Sequence, residues 1–223
     1  VKNTQNMSAT SLIQREDDIV IANTQPEHAE QLEALQVTVF PELDANERFI
    51  AAHYRRHLEL FAEGQFVALA GDQVVGMTTT IRMDFDFEHA DHSFDEVMAG
   101  GWLSTHQPDG DWLYGMDVGV HPDYRRRGIA RDLYRARHNL TEQLGLKGQV
   151  TVGMMNGYGA VAGKMTPEEY FEQLKAGSIS DPTVSAQMKV GFQPRALVKN
   201  YLNDPTCGNC GVLIVLSRDE DFC

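Results

Sequence analysis

Between Asp117 and Ala130 the chain reads DVGVHPDYRRRGIA. An apolar run with strand character ends at His121-Pro122-Asp123, because proline cannot donate to a sheet ladder. Arg125-x-x-Gly128-x-Ala130 then opens directly into a helix. Amides at a helix start have no partner inside the helix, and the dipole there favours an anion. Gly128 and Ala130 are small enough to let a phosphate approach the backbone closely. The pattern suits a pyrophosphate. Charge placement agrees: six of the 19 Lys and Arg fall between Arg125 and Arg137, in a chain with 32 acidic residues and a formal charge of −13. Such a basic spot in an acidic field would concentrate a polyphosphate at one place. The competing reading is a helix with a solvated Arg face, since Arg127, Arg131 and Arg135 recur at i, i+4 spacing. Loop and charge taken together favour anion binding.

The elements that must position this loop can be read around it. Residues 1–16 are polar and aperiodic, which predicts a flexible tail. A single domain is expected over 17–217, with a C-terminal tail at 218–223. Asp17 to Thr24 suits a first strand. Pro26 suits the first turn of a helix that carries Leu32, Leu35, Val39 and Phe40 to a stop at Pro41. A second helix is expected from Asn46 to Phe61, with Phe49, Ile50, Tyr54, Leu58 and Phe61 apolar. Gln65 to Ala70 and Val74 to Met83 predict a hairpin around Gly71-Asp72-Gln73. Residues 84–110 form an acidic insertion with a short helix near Phe94 to Ala99. Trp112 to Val120 predicts the strand before the loop. The helix after it spans Arg127 to Leu144, with Ile129, Leu133, Ala136, Leu140 and Leu144 as its buried stripe. Gln149 to Met155 is the next strand. A second insertion at 157–180 holds a helix from Pro167 to Leu174, and another helix runs from Asp181 to Gly191. Phe192 to Leu202 and Gly211 to Leu216 predict a terminal hairpin. One α+β domain is the result.

Composition narrows the function classes. With 42% hydrophobic and 23% charged residues the 223-residue chain is globular. No run approaches the ~18 apolar residues of a membrane helix, so a membrane role is not expected, and neither is a secretory leader. The acidic balance argues against nucleic acid. Three cysteines are too few for a disulfide framework; a cytoplasmic protein is the expectation.

The loop resembles the acyl-CoA motif of the GNAT (Gcn5-related N-acetyltransferase) superfamily, Arg/Gln-x-x-Gly-x-Gly/Ala. Val120-His-Pro-Asp-Tyr ahead of it, the helix–helix–hairpin order upstream, and Gly191-Phe192 after a short helix are similar to that family too. Segments EGQFVAL, VVGMTTTIRMDFDF, GDWLYGMDVGVHPDYRRRG and DPTVSAQMKVGF resemble GNAT domains found fused to carbon–nitrogen hydrolases. The resemblance implies the GNAT fold, a mixed and mostly antiparallel sheet whose central parallel strands splay apart and are flanked by helices. It further implies an acyl-CoA-dependent N-acyltransferase, with acetyl-CoA as the expected co-substrate and a primary amine of a small molecule or peptide as acceptor. A homodimer through terminal strands is compatible with it. A non-catalytic acyl-CoA-binding regulatory module is the alternative.

Residue by residue, the resemblance implies that Val118 and Val120 pair with the pantetheine arm through their backbone. The N–H groups of Arg126, Arg127, Gly128, Ile129 and Ala130 would hold the pyrophosphate, with Arg125 beside it. Asn156 is either a cofactor contact or a turn former before Gly157. Asp117 would take the amine's proton, against a reading as a charge on an exposed strand, and the Val118 N–H would face the oxyanion. Where many relatives carry a proton-donating Tyr, four residues before Gly-Phe, this chain has Gln187. Tyr201, Tyr170 and Tyr158 are substitutes, and Tyr201 is carried forward.

Two other clusters promise less. Cys207-Gly-Asn-Cys210 is a lone CxxC without the second ligand pair of a zinc site; turn cysteines, a redox pair or a third ligand from Cys223 remain the readings. His89, Asp91 and His92 match no ligand spacing, so no metal is expected. The acidic run Asp84, Asp86, Glu88, Asp91 reads as a solvated insertion or as a cation-attracting lip for an amine.

Overall fold

The computed structural model describes residues 11–218. Its centre is an eight-stranded sheet in the order β1-β2-β3-β4-β5-β6-β8-β7. The strands are β1 (Ser11–Gln14), β2 (Ile19–Asn23), β3 (Phe66–Ala70), β4 (Gln73–Met83), β5 (Trp112–Val120), β6 (Gly148–Met154), β7 (Gln193–Val198) and β8 (Gly211–Ser217). Every neighbouring pair is antiparallel except β5 and β6. Helices α1 (Ala29–Val39), α2 (Ala51–Phe61), α3 (Phe94–Met98), α4 (Ile129–Gln143), α5 (Pro167–Lys175) and α6 (Val184–Lys189) flank it. This is the α+β architecture expected.

Within the stretch expected to be a flexible tail, Ser11–Gln14 is a strand. Ser11–Gln14 pairs with β2 across a turn in which Asp18 takes a positive φ of 58°. Residues 1–10 and 219–223, Cys223 among them, lie outside the described residues. The second helix starts at Ala51 rather than Asn46, because Asp44 caps a separate 3-10 turn at Ala45–Glu47 and Ile50 is extended. Ile50 consequently sits outside the helix and is exposed. Leucine 144 is half-buried, but Ile129, Leu133, Ala136 and Leu140 form the buried stripe of α4 against the sheet. Full burial of Ile129, Leu133 and Leu140 contributes about 1.5–3 kcal/mol each, which anchors the helix whose first turn ends the basic loop.

Two irregularities shape the centre. Thr79 pairs with Asp117 and Thr80 with Gly115, so Met116 is an extra residue in β5. A bulge of this kind swaps the face on which later side chains lie. Gly115 faces α4, where any side chain would overlap the Arg137 guanidinium, while Asp117 faces α1 and bonds Gln36. Second, the parallel ladder between β5 and β6 covers only Trp112–Gly115 against Gly148–Thr151. Thr151 Oγ1 donates to the Gly115 carbonyl at 2.6 Å where it stops. Past that point the strands splay.

Candidate active site: a cleft at a broken parallel pair

The gap between the splayed strands opens into a cleft of about 590 Å³. Its walls are Met116, Asp117, Val118 and Val120 on one side and Thr151 to Met154 on the other, with Arg125 and Ala130 at one end and Phe49, Phe94 and Tyr201 at the other. His121 N donates to the Val75 carbonyl at 2.9 Å, which makes 75/121, and by alternation 77/119, the hydrogen-bonded pairs of this ladder. Val118 and Val120 stand opposite Thr78 and Gly76. Their N–H and C=O groups therefore turn away from β4 and into the gap.

At the basic end, Arg126 and Gly128 have φ values of 63° and 84°. This left-handed pair turns the chain sharply into α4. Gly128 is the residue before the helix and has no side chain to cap it, so the first amides of α4 remain available to an anion. Arg125 Nε donates to the Val120 carbonyl at 3.1 Å, which lays its guanidinium at the cleft mouth. Arg127 is turned outward over the Tyr124 ring and bonds the Asp123 carbonyl. Arg15, placed in the tail by sequence, bonds Asp132 in the first turn of α4 and the Arg127 carbonyl. It clamps the loop from behind. Arg137 does not add to the basic surface: it is 1% exposed, bonds Gln149 Oε1 at 3.1 Å and lies beneath the Tyr134 ring.

Asp117 is half-buried rather than a charge on an open strand face. Gln36 Nε2 and the Thr79 N–H donate to its two oxygens, each at 2.7 Å. Burial pushes its pKa up to about 6, and these donors together with the Arg137 charge pull the other way. The same Gln36 nitrogen also donates to Tyr54 Oη at 2.8 Å. An acid near 6 that borders a cleft is ionised at neutral pH and still basic enough to take a proton.

The tyrosines separate by what holds their protons. Tyr158 donates to the Met165 carbonyl and Tyr170 to Asp181; neither lines the cleft. Tyr201 does, with 3% exposure. His92 Nδ1 lies 2.7 Å from the Ala90 carbonyl and must donate to it, so its Nε2 accepts from Tyr114 Oη at 2.7 Å. Tyr114 then accepts from Tyr201 across 3.2 Å. Gln187, in the position of the absent tyrosine, donates through Nε2 to Tyr134 Oη at 2.9 Å. Its Oε1 is buried without a partner among the described residues, against Gly153.

Acidic residues do line the far end, but they are Glu42, Glu47 and Asp204. The run from Asp84 to Asp91 is not among them. Burial raises the pKa of Glu47, and Asp44, Asp95 and Asp204 add to the shift. Asn156 is exposed at the cleft wall and donates to Thr183 Oγ1 at 2.7 Å. His89 pairs with Asp86 while His92 turns to Tyr114, so the two histidines are not brought together. Cys207 and Cys210 are free and buried, and burial pushes the Cys207 thiol up to about 12.

Sequence reasoning missed Gln36, Tyr134, Arg15 and the Glu42–Glu47–Asp204 wall. Gln36 had a signal: it is a polar residue inside the Leu32, Leu35, Val39 stripe. Arg15 had none.

A strand broken by a bulge, a parallel partner that splays from it and an uncapped helix start leave a cleft at the centre of the fold rather than a closed sheet. The Acetyltransferase (GNAT) family pattern matches residues 29–156, more than half of the chain, and the chain belongs to that family. It is 35% identical over 191 residues to the "Probable hydrolase YhcX" of Bacillus subtilis (strain 168), across 86% of this chain but only 37% of that relative's length. It is also 30% identical to the "Uncharacterized N-acetyltransferase YkwB" of the same organism, over 88% and 87% of the two chains. Among solved structures it superimposes on the GphF GNAT-like decarboxylase in complex with isobutyryl-CoA (TM-score 0.74, 22% identity, 88% and 98% coverage). The loading GNATL domain of CurA from Lyngbya majuscula gives 0.76, at 20% identity and 89% and 97% coverage. These two establish likeness of fold. Among the described residues no helix is long and apolar enough to cross a membrane.

Proposed function

We propose that this chain transfers an acyl group, from acetyl-CoA as the expected donor, to a primary amine of a small molecule or peptide by direct attack in a ternary complex. The observation that carries the reading is the Val118 N–H facing an open gap with the Asp117 carboxylate beside it.

The fit of CoA rests on three features. The start of α4 and the backbone of Arg126 to Ala130 offer amides to a pyrophosphate, with Arg125 at its flank. Val118 and Val120 present strand-edge groups to the pantetheine amides. Gln187 adds an unpartnered buried acceptor on the opposite wall, and Asn156 a polar contact at the exit. An amine with a pKa near ~10 arrives protonated. Asp117 takes that proton, the amine attacks the thioester carbon, and Val118 N–H stabilises the oxyanion, a donor effect of about 3 kcal/mol in a dry site. Glu42, Glu47 and Asp204 favour a cationic acceptor at the far end. Tyr201 stands on that same wall.

Free thiol is measured as it forms from acetyl-CoA over a panel of amines. Wild-type turnover that falls about 10²–10⁴-fold in Asp117→Asn, with CoA affinity retained, supports the enzyme and excludes a binding module. Turnover unchanged in Asp117→Asn removes Asp117 from the mechanism.

A further inference from the structure

We propose that Tyr134, held by Gln187, donates the proton that the departing thiolate needs, and that Tyr201 does not. The inference rests on the acyl-transfer reading and deepens it.

A hydroxyl has one proton to give. That of Tyr201 is committed to Tyr114, because Tyr114 spends its own on His92 and His92 Nδ1–H is fixed on the Ala90 carbonyl. Tyr134 is the reverse case. Its oxygen accepts the Gln187 amide hydrogen at 2.9 Å, and among the described residues no acceptor competes for its O–H beside the cleft that it lines. It sits four residues, about 6 Å along the helix axis, beyond Ala130 in α4, on the wall opposite Asp117 across the gap. The two groups interact electrostatically, so acceptor and donor of protons flank one reacting centre from the two faces of the sheet.

The surroundings suit a group that gives up a proton and regains it. Burial keeps the phenol protonated at rest, while the Arg137 charge beneath the ring and the Gln187 N–H favour the phenolate left after donation. The step balances. The amine nitrogen bonds to the acyl carbon as the C–S bond breaks and sulfur keeps its electron pair. Sulfur takes the Tyr134 proton, and the nitrogen's second proton goes to Asp117, which has by then released the first, taken from the ammonium, to solvent. Water then carries that proton back to Tyr134, so amide and free CoA thiol are the products.

Two readouts test this. In the first, CoA bound to wild type, Tyr134→Phe and Tyr201→Phe is titrated by thiolate absorbance in the ultraviolet. In the second, kcat and CoA Kd are measured with the same proteins. A donor at sulfur stabilises the thiolate, so Tyr134→Phe should raise the bound thiol's apparent pKa by about one pH unit. It should also lower kcat about a hundredfold and change CoA Kd by less than about threefold, which a merely structural role would not produce. Wild-type thiol titration and kcat in Tyr134→Phe overturn the inference, as does a Tyr201→Phe variant that alone shows both effects. If no amine is acylated by wild type while the Tyr134-dependent thiol shift is present, the transfer reading fails and the sulfur contact stands. If turnover is present and Tyr134→Phe leaves both readouts unmoved, the transfer reading stands and the assignment of Tyr134 fails.

Discussion

The loop at residues 125–131 offers the cleft mainly backbone: helix-start amides and two left-handed residues, one of them a glycine with no side chain to intervene. The opposite wall offers mainly side chains, gathered from α1 (Gln36), the α1–α2 connection (Glu42, Glu47), β5 (Asp117) and the β7–β8 connection (Asp204). A backbone site is written in one short stretch and survives changes around it. A side-chain site is assembled from distant pieces, each of which can change alone. The first kind would serve a donor common to many enzymes and the second an acceptor particular to one.

Gly128→Glu should break the backbone wall outright. A left-handed φ of 84° costs a side-chain residue about 1–2 kcal/mol, and the new carboxylate, beside the Arg131 and Arg15 guanidinium groups, would add a negative charge to the loop that must hold phosphate. CoA Kd should rise at least a hundredfold, about 2.7 kcal/mol, by calorimetry, while the fold persists by circular dichroism. Tight CoA binding in this variant would mean that the loop is not the phosphate site.

On the side-chain wall, pH is the sharper tool. Asp117 acts as a base only when ionised, so kcat/KM should climb as pH rises through about 6. Gln36→Ala removes a donor to the charged form, so the limb should move upward by roughly one pH unit. The same pKa makes a stability claim. A carboxyl raised above its unfolded value favours the folded state below the unfolded pKa of ~3.9, and that advantage disappears as pH rises through about 6. Asp117→Asn, which cannot ionise, should therefore gain Tm relative to wild type between pH 5 and pH 8. A difference that shrinks over that interval would contradict the burial of this group.

This contrast also explains what could be read in advance. The strand Trp112–Val120 and the start of α4 follow from local apolar pattern, His-Pro and Gly128, and the structure has them in place. The face on which Asp117 lies does not follow, because the Met116 bulge reverses the alternation and depends on pairing with β4. Tyr134 reads as one more ring on an amphipathic helix until Gln187, 53 residues later in the chain, is seen to hold it. The six-residue basic count misled in one member: Arg137 follows the buried stripe of α4, not its solvated face.

Glu47→Gln gives a smaller effect that asks whether the far wall selects charge. Glu47 accepts the Asn203 N–H through both oxygens, at 3.2 and 2.9 Å, and glutamine can retain one such bond. For a cationic acceptor its KM should rise about five- to tenfold, equivalent to about 1–1.4 kcal/mol, with kcat and CoA Kd little changed. An unchanged KM for every amine would leave the acidic wall without a role in recognition.

Arg15→Ala should be the mildest perturbation, and it tests whether the backbone wall is self-sufficient. The guanidinium bonds Asp132 and the Arg127 carbonyl from outside the cleft, so its removal deletes no group that faces the ligand. It does free Asp132, whose negative charge in the first turn of α4 would then lie uncompensated near the incoming phosphates, apart from its weaker contact with Arg135 at 3.5 Å. Looser loop geometry and that charge act in the same direction. CoA Kd should rise about three- to tenfold, or about 0.7–1.4 kcal/mol, and more at low salt than at high, because added salt screens a long-range repulsion. An equal loss at both ionic strengths would assign the whole effect to loop order, and no loss would show that Gly128, Arg126 and the helix start set the turn without the β1 segment behind them.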